Sequence, residues 1–566
     1  MNKYDFYPDF ESKPPEKETY RSIFKWGDPK RFKHPNKRLY AMLKKEFQMQ
    51  DADFTRKLNE GCKKVVLTLK NKTINLTPQQ INEFKEIVGD ENINSDDYSR
   101  VKYASGKTME EAINLRNCIP YNIPGLVVHP RNKEDVKEIV VYCNKEKIPI
   151  YVYSGGSSVN LGFQAVESGI TLVMSTHMNR FIELNEINHT ATIEAGIMGL
   201  CYEDFLNNAP ERLNAKRRYT CGHFPQSFEY SSVGGWIVTL GSGQQSSYYG
   251  DMYDIVLSQE YVTPAGCFRT LNYPAAATGP KINDIMKGSE GTYGVLVSAT
   301  LKVFKYMPEN RKRFSFIFPT WEKAVDASRQ IFQGEFGNPS LFRISDPEET
   351  DVVLKLYGIE RTILDKFINF RGFKPSKRSL CIAHTEGENS FSKNVKKRII
   401  KICKEYGGMY LTGFPVRQWE KGRFTDPYIR ESLHDFGIII DTLETSVVWD
   451  NLHNVYKTVR NFIKSRPKTI SMTHASHFYP QGTNLYFIFM ARISDFKEYK
   501  SFQNGVIDQI SKSGGSLSHH HGVGKMISPW MENHLGKEQM SILRAIKKHL
   551  DPNNIMNPGG TMGLDI

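Results

Sequence analysis

Four glycine-bearing segments between residues 150 and 300 constrain the fold of this chain more than any other feature. They are YSGGSSVNLG (153–162), SSVGGW running on to GSG (231–243), TPAG (263–266) and KGSEGTYGV (287–295). Glycine lets backbone N–H groups approach an anion closely, and serine adds hydroxyl donors. One such loop is also what a hairpin turn requires. Four in succession point to a large ligand wrapped by one domain. Neither GxGxxG opening a helix nor GxxxxGK[ST] stands in its expected setting, so Rossmann and P-loop readings are excluded.

The segments around these loops alternate strand and helix patterns. GLVVHP (125–130) is a short apolar run closed by proline. NKEDVKEIVVYCNKEKI (132–148) places Val136, Ile139, Val140 and Cys143 at helical spacing, with acids in its first turn. PIYVYSGG (149–156) reads as a strand ending in the first glycine loop, which completes a β-α-β unit. Further strands are predicted in GITLVMS (169–175), RFIELNEINHTATIEAG (180–196) and GVLVSATLKVF (294–304). From about 307 the glycine loops stop, and mixed strands and amphipathic helices indicate a second α+β domain. The expected division is 1–115 mainly helical, 116–306 ligand-wrapping domain, 307–505 cap domain, and 506–566 a C-terminal segment returning to the site.

A chain of 566 residues with 39% hydrophobic and 24% charged residues can bury several cores. It has no apolar run long enough to span a bilayer and no signal-peptide pattern at its start. The eight cysteines are scattered without CxxC, which fits reduced thiols in an intracellular protein. The formal charge of +13 is spread along the chain and interleaved with acids. That argues against nucleic acid and suits anionic small substrates or peripheral contact with an anionic membrane surface.

One further stretch calls for chemistry: SLSHHHGVGK (516–525). Adjacent side chains point in different directions, so His519, His520 and His521 are not expected to converge on a metal ion. Histidine titrates near neutrality and can pass protons or bind anionic oxygen. In NLYFIFMARI (484–493), strand alternation puts Tyr486, Ile488 and Met490 on one face, where Tyr486 is either core or catalytic.

The segments PIYVYSGGSSVNLGF, VGGWIVTLGSG, VTPAG, MKGSEGTYGVL and DPNNIMNPG resemble the flavin-binding domain of the vanillyl-alcohol oxidase / p-cresol methylhydroxylase fold. With TCGHFPQSFEYSSVGGW, DTLETSVVWDNL, NLYFIF and GGSLSHHHGVGK in that order, residues 115 to 560 resemble the alkyldihydroxyacetonephosphate synthase family. The resemblance implies an α+β fold: a two-subdomain FAD-binding domain, an α+β cap (substrate) domain, and helical termini.

It also implies which residues hold FAD. The first loop supplies Val152, Tyr153, Ser154, Gly155, Gly156, Ser157 and Ser158. Gln226, Ser227, Phe228, Glu229, Tyr230, Ser231 and Ser232 follow, then Val238, Thr239, Leu240 and Gly241. Glu290, Gly291, Thr292, Tyr293, Gly294, Val295 and Leu296 complete the set. Ser157 stands where many relatives carry a histidine bonded to the flavin, which implies noncovalent FAD. Leu240 stands in place of an arginine.

The chemistry implied is an exchange without net redox change. The acyl group of acyl-dihydroxyacetone phosphate is replaced by a long-chain fatty alcohol while the flavin holds the dihydroxyacetone carbon. Tyr486 and the three histidines would handle protons, Arg430 and Arg343 would bind the anionic end, and Glu444 and Trp449 would form scaffold. The partners implied are lipid substrates, with a homodimer as the assembly. Arginine suits its task because its planar fork grips phosphate bidentately. The rival on the same fold is a flavin-dependent oxidoreductase of 2-hydroxy acids. The family is peroxisomal, but the chain ends in LDI rather than a serine-lysine-leucine type address, which leaves a cytoplasmic location open.

Overall fold

Leu126–Val128 is buried at all three positions, as a strand covered on both faces must be. In this computed structural model, which describes residues 6–55, 61–67 and 73–565, it lies in a four-stranded sheet with Ile93–Asn94, Ile170–Val173 and Ile150–Tyr153. The last three strands in spatial order run parallel. The predicted helix between them spans Lys133–Glu146 and buries Val136, Ile139, Val140 and Cys143. Asn132 caps it by accepting the amides of Glu134 and Asp135. The chain then re-enters the sheet at Ile150 and leaves it at Tyr153 into the first glycine loop.

A second sheet is antiparallel, ordered Phe181–Asn185, Thr190–Glu194, Val295–Lys302, Val256–Thr263, Gly266–Arg269. The glycine segments connect and flank these two sheets. The cap is a larger antiparallel sheet in which Leu341–Ser345, Thr469–Ala475, Gly482–Arg492 and Ile438–Val448 are successive neighbours. Among the described residues no helix is long and apolar enough to cross a membrane. All eight cysteines are free.

Packing runs across two of the expected boundaries. From the mainly helical first 115 residues, Ile93–Asn94 pairs with Leu126–Val128. The helix Lys37–Glu46 packs Leu39 and Leu43 into a core shared with Leu433, Ile438 and Ile470 of the cap. The division at 505/506 cuts the helix Phe496–Lys512, which buries Tyr499, Val506, Ile507 and Ile510 as one apolar stripe. The residues after it return to the first domain. Ile150 donates its amide to Ile555 O at 2.7 Å and accepts that of Asn557 at 2.9 Å.

Candidate active site

A cavity of about 1020 Å³ lies between the two domains, at the upper end of the roughly 300–1,000 Å³ usual for ligand sites. Its first wall is the glycine cradle. Val152 through Asn160 line it without interruption, joined by Gln226, Ser227, Ser232, Val238, Thr239 and Gly241. A Cβ on Gly155 would stand 2.7 Å from Tyr230 O and 2.8 Å from Ser231 Cα, so glycine is what lets the first two segments touch. Ser232 caps the helix Val233–Val238, accepting the amide of Gly235. Three buried polar atoms on the wall, Ser154 Oγ, Gln244 Oε1 and Asn557 Oδ1, have no partner among the described residues. These unspent groups, the close-approach glycines and the volume fit a large phosphate-bearing cofactor such as FAD.

Several residues of the predicted cofactor set face away from the cavity, for identifiable reasons. Phe228 stacks on Trp236 and Phe424, Glu229 pairs with Arg31, and Tyr230 packs edge-on to Trp26. Ser231 Oγ accepts the indole N–H of Trp236 at 2.7 Å. Leu240, at φ +50, turns onto Gly288, behind the cradle. Of the fourth segment Glu290, Gly291, Gly294 and Leu296 face the cavity, whereas Thr292, Tyr293 and Val295 are core.

The opposite wall is built by strand register. Tyr486 lies opposite Glu444 on one neighbouring strand and opposite His474 on the other. Its ring is stacked between His474, centroids 4.8 Å apart, and His520, 5.9 Å apart, with His521 edge-on at 5.5 Å. The Tyr486 hydroxyl donates to Thr442 Oγ1 at 3.1 Å. Burial pushes this phenol up to about 12, so it carries its proton at neutral pH.

The histidine loop is held from beneath by Glu444. Its Oε1 accepts Ser518 Oγ–H at 2.6 Å and the amides of His520 and His521 at 3.1 and 3.0 Å. Its Oε2 accepts the amide of His519 at 2.7 Å. Burial alone would raise this carboxyl, but His521, His519 and the hydrogen bonds outweigh it and hold it below the usual range. A second carboxylate, Glu290, accepts the amides of Val523 and Gly524 at 2.6 and 2.8 Å. Burial raises Glu290 to about 7. Gly522 sits at φ +87 where a Cβ would meet Glu290 Oε1 at 2.6 Å, which accounts for glycine after the histidines.

The expectation that neighbouring histidines diverge does not hold. His519 Nδ1 and His520 Nδ1 face one another at 3.0 Å. With His477, from the turn before Tyr486, they bring three ring nitrogens within 4.8 Å of each other. Burial depresses all three loop histidines, and for His520 the surrounding imidazoles add to it, so the rings are neutral at neutral pH.

Both predicted arginines line the cavity. Arg343 pairs with Glu349 at 2.6 Å. Arg430 donates to Glu431 through Nε and Nη2 and to Lys107 O through Nη1. That uses three of its five N–H groups. The cap also gives the cavity an apolar lining from Ile317, Leu364, Ile368, Leu380, Ile382, Leu411, Phe414 and Trp419.

Glu444, expected as scaffold, stands beneath the histidines; Trp449 donates its indole N–H to Pro480 O at 3.0 Å, away from the cavity. Sequence reasoning missed Asn160, Lys107, His474, His477 and Asn557, all on the wall. Asn557 donates through Nδ2 to Gly162 O and Glu290 O, tying two glycine segments together. Its NPGG context was the available signal. His474, in THASH, reaches the site through strand pairing with Tyr486, and His477 follows just past the strand end.

Comparison with known proteins agrees with this geometry. Residues 124–272 match the family described as FAD binding domain, and 307–561 match FAD linked oxidases, C-terminal domain. The chain is 31% identical over 499 residues to the alkyldihydroxyacetonephosphate synthase of Dictyostelium discoideum, covering 85% of this chain and 80% of that one. A solved alkyldihydroxyacetonephosphate synthase superposes with TM-score 0.79 at 27% identity, over 95% of this chain and 99% of the other. A p-cresol methylhydroxylase structure shares the fold, with TM-score 0.63 at 17% identity over 87% and 98% of the two chains.

Proposed function

Because the chain belongs to the alkyldihydroxyacetonephosphate synthase family, we propose that it replaces the acyl group of acyl-dihydroxyacetone phosphate by a long-chain fatty alcohol, releasing a fatty acid. Its cofactor is FAD, and Ser157 in the cradle supports noncovalent binding. The observation that carries the substrate reading is one cavity lined by the cofactor cradle, by polar residues and by an apolar set from the cap that we take as its arm. A 2-hydroxy acid has no use for that arm, whereas a fatty alcohol fills it.

Bound FAD would supply an electron-rich ring that activates the dihydroxyacetone carbon toward exchange of its oxygen substituent. The protein does the rest. Arg343 and Arg430 offer guanidinium N–H groups to the phosphate, with internal carboxylates fixing their orientation. Tyr486 Oη holds a proton for the departing oxygen, aimed by Thr442 and by the two imidazole faces. Neutral His520, beside it, accepts the proton of the incoming alcohol. The apolar arm excludes water, which would otherwise compete with the alcohol.

The helix Ile363–Phe370 supports peripheral contact with a lipid surface. Its Leu364 and Ile368 line the arm, while Ile363 and Phe370 are 88% and 86% exposed. The homodimer and the peroxisomal site of action rest on family resemblance.

The test is to incubate purified protein with acyl-dihydroxyacetone phosphate and labelled hexadecanol, and in parallel with D-2-hydroxy acids and a dye acceptor. Fatty acid released in step with ether, without dye reduction, is expected. Fast dye reduction without ether would hand the chain to the oxidoreductase reading. Acid precipitation should leave all yellow colour in the supernatant.

A further inference from the structure

A phosphate ester carries a charge of about −1.5 to −2 near neutral pH, and the two arginines assigned to it bring no net charge. Arg343 is already paired with Glu349 and Arg430 with Glu431. Lys33, also on the cavity wall, is paired with Asp426. One further cation lines the cavity among the described residues, and it is Lys107. It forms no ion pair there; Glu431 and Glu111 act on it only at a distance.

Lys107 stands where the cofactor cradle meets Arg430. Its amide donates to Ser158 O of the first glycine segment at 2.7 Å, and its carbonyl accepts Arg430 Nη1 at 2.6 Å. Its ammonium donates to the carbonyl of Ile23 and, at 3.2 Å, to that of Lys25. Both acceptors lie at the end of the helix Tyr20–Phe24, which Lys25 caps, and carbonyls left over at a helix end take lysine donors. An ammonium has three N–H groups, so one has no protein acceptor among the described residues. Burial lowers this group to about 8, with Arg430 and Lys25 adding to the effect and Glu431 and Glu111 opposing it. It is therefore mostly protonated at neutral pH. The same N-terminal segment places Trp26 against Arg430, whose Cζ lies 5.2 Å from the indole centroid.

We propose that Lys107 is a further phosphate-binding residue of the substrate site, giving its spare N–H and its unpaired charge to the phosphate beside Arg430. The division of labour follows from the partners. The paired arginines supply planar, bidentate geometry, whereas Lys107 supplies net charge as a point cation. A bound phosphate in turn offsets the cost of burying an ammonium without a counter-ion. The helix Tyr20–Phe24 sets the reach of Lys107 through its terminal carbonyls, which makes residues 20–26 part of the site. A lysine that only tied this helix to the cradle would need neither a place on the cavity wall nor a spare donor. Such a tie would also serve substrates with and without phosphate equally.

The inference rests on the ether-forming reading, and the experiment keeps the two apart. Flavin-loaded wild type, Lys107→Gln and Lys107→Arg are assayed on acyl-dihydroxyacetone phosphate and on the phosphate-free acyl-dihydroxyacetone. Each is also titrated calorimetrically with dihydroxyacetone phosphate. Lys107→Gln should raise KM for the phosphate substrate, and weaken dihydroxyacetone phosphate binding, by about 10–100-fold, the range for a hydrogen bond to a charged group. Its kcat/KM on the phosphate-free ester should stay at the wild-type value. Lys107→Arg, which keeps the charge, should recover most of the affinity. Equal losses on both esters make Lys107 a structural tie and overturn the proposal, as do wild-type KM and binding in Lys107→Gln. Should Lys107→Gln fail to load flavin, Lys107→Arg and wild type decide. Acetic anhydride labelling of Lys107, read by peptide mass, should be blocked in both by dihydroxyacetone phosphate and not by dihydroxyacetone; equal labelling with either overturns the proposal. Wild type that makes no ether yet binds dihydroxyacetone phosphate through Lys107 fails the functional reading and leaves the phosphate site standing. Wild type that does neither overturns both.

Discussion

The two walls of the cavity are made by opposite means. The FAD cradle is a backbone structure: its glycines matter for the side chains they lack, and residues 152–160 line it in a single unbroken run. The histidine-bearing wall is a side-chain structure. Glu444, Tyr486 and His474 come from three strands and meet because of register, and the histidine loop is pinned to them by one buried carboxylate. The cradle therefore tolerates changes in side-chain chemistry but not in volume. The histidine-bearing wall, on the proposed roles, is sensitive to single atoms.

The sharpest way to separate the walls is to remove an atom from one. Tyr486→Phe and His520→Ala should each cut ether formation by ~10²–10⁴-fold, with flavin content unchanged. Glu444→Ala should match them in activity while also destabilising the protein, because each buried donor left unsatisfied costs about 1–3 kcal/mol. A thermal melt of the holoenzyme distinguishes the two effects; an active Glu444→Ala variant would break the comparison.

The converse change adds one atom to the cradle. Gly155→Ala forces a Cβ to within 2.7 Å of Tyr230 O. Overpacking costs about 1–3 kcal/mol, so FAD affinity should fall roughly 10–100-fold at 1.4 kcal/mol per tenfold. Fluorescence titration of apoprotein measures this, and saturating FAD should return kcat to normal. A kcat defect at full loading would show that the walls are not independent.

The smallest effect concerns Glu290, where the walls meet. Its carboxyl is raised by burial from 4.5 to about 7. A raised acid stabilises the folded state fully below its unfolded value, and that contribution is lost as pH rises through the folded value. Relative to wild type, Glu290→Gln should therefore flatten the fall in stability between about pH 4.5 and 7. Melting temperatures across that window check it, and parallel curves for the two proteins would contradict the assignment.

The unequal legibility of the sequence follows from the same contrast. Glycine clusters and the helical period of 132–148 act over short stretches, so the cradle, its helix and the strands around it could be read directly. Nothing local links His474 or His477 to the loop at 519–521; antiparallel pairing with Tyr486 does that for His474, and ring contact with His519 and His520 does it for His477. Nor does a run of three histidines disclose that its first two rings turn face to face. That depends on amides captured by Glu444, 75 residues earlier in the case of His519. Of the predicted cofactor residues, those that failed to face the cavity were turned by packing, as with Phe228 on Trp236.

The pairing of Ile150 with Ile555 and Asn557 has a consequence for how the protein is made. The edge of the cradle strand waits for residues translated some four hundred positions later. At ~5–20 residues per second, the ribosome leaves that edge without its mate for roughly 20–80 s. Asn557, which clamps Gly162 to Glu290, arrives last of all. Flavin capture is thus an event of the finished polypeptide. Nascent chains stalled before residue 555 should emerge colourless, however well their first domain has folded.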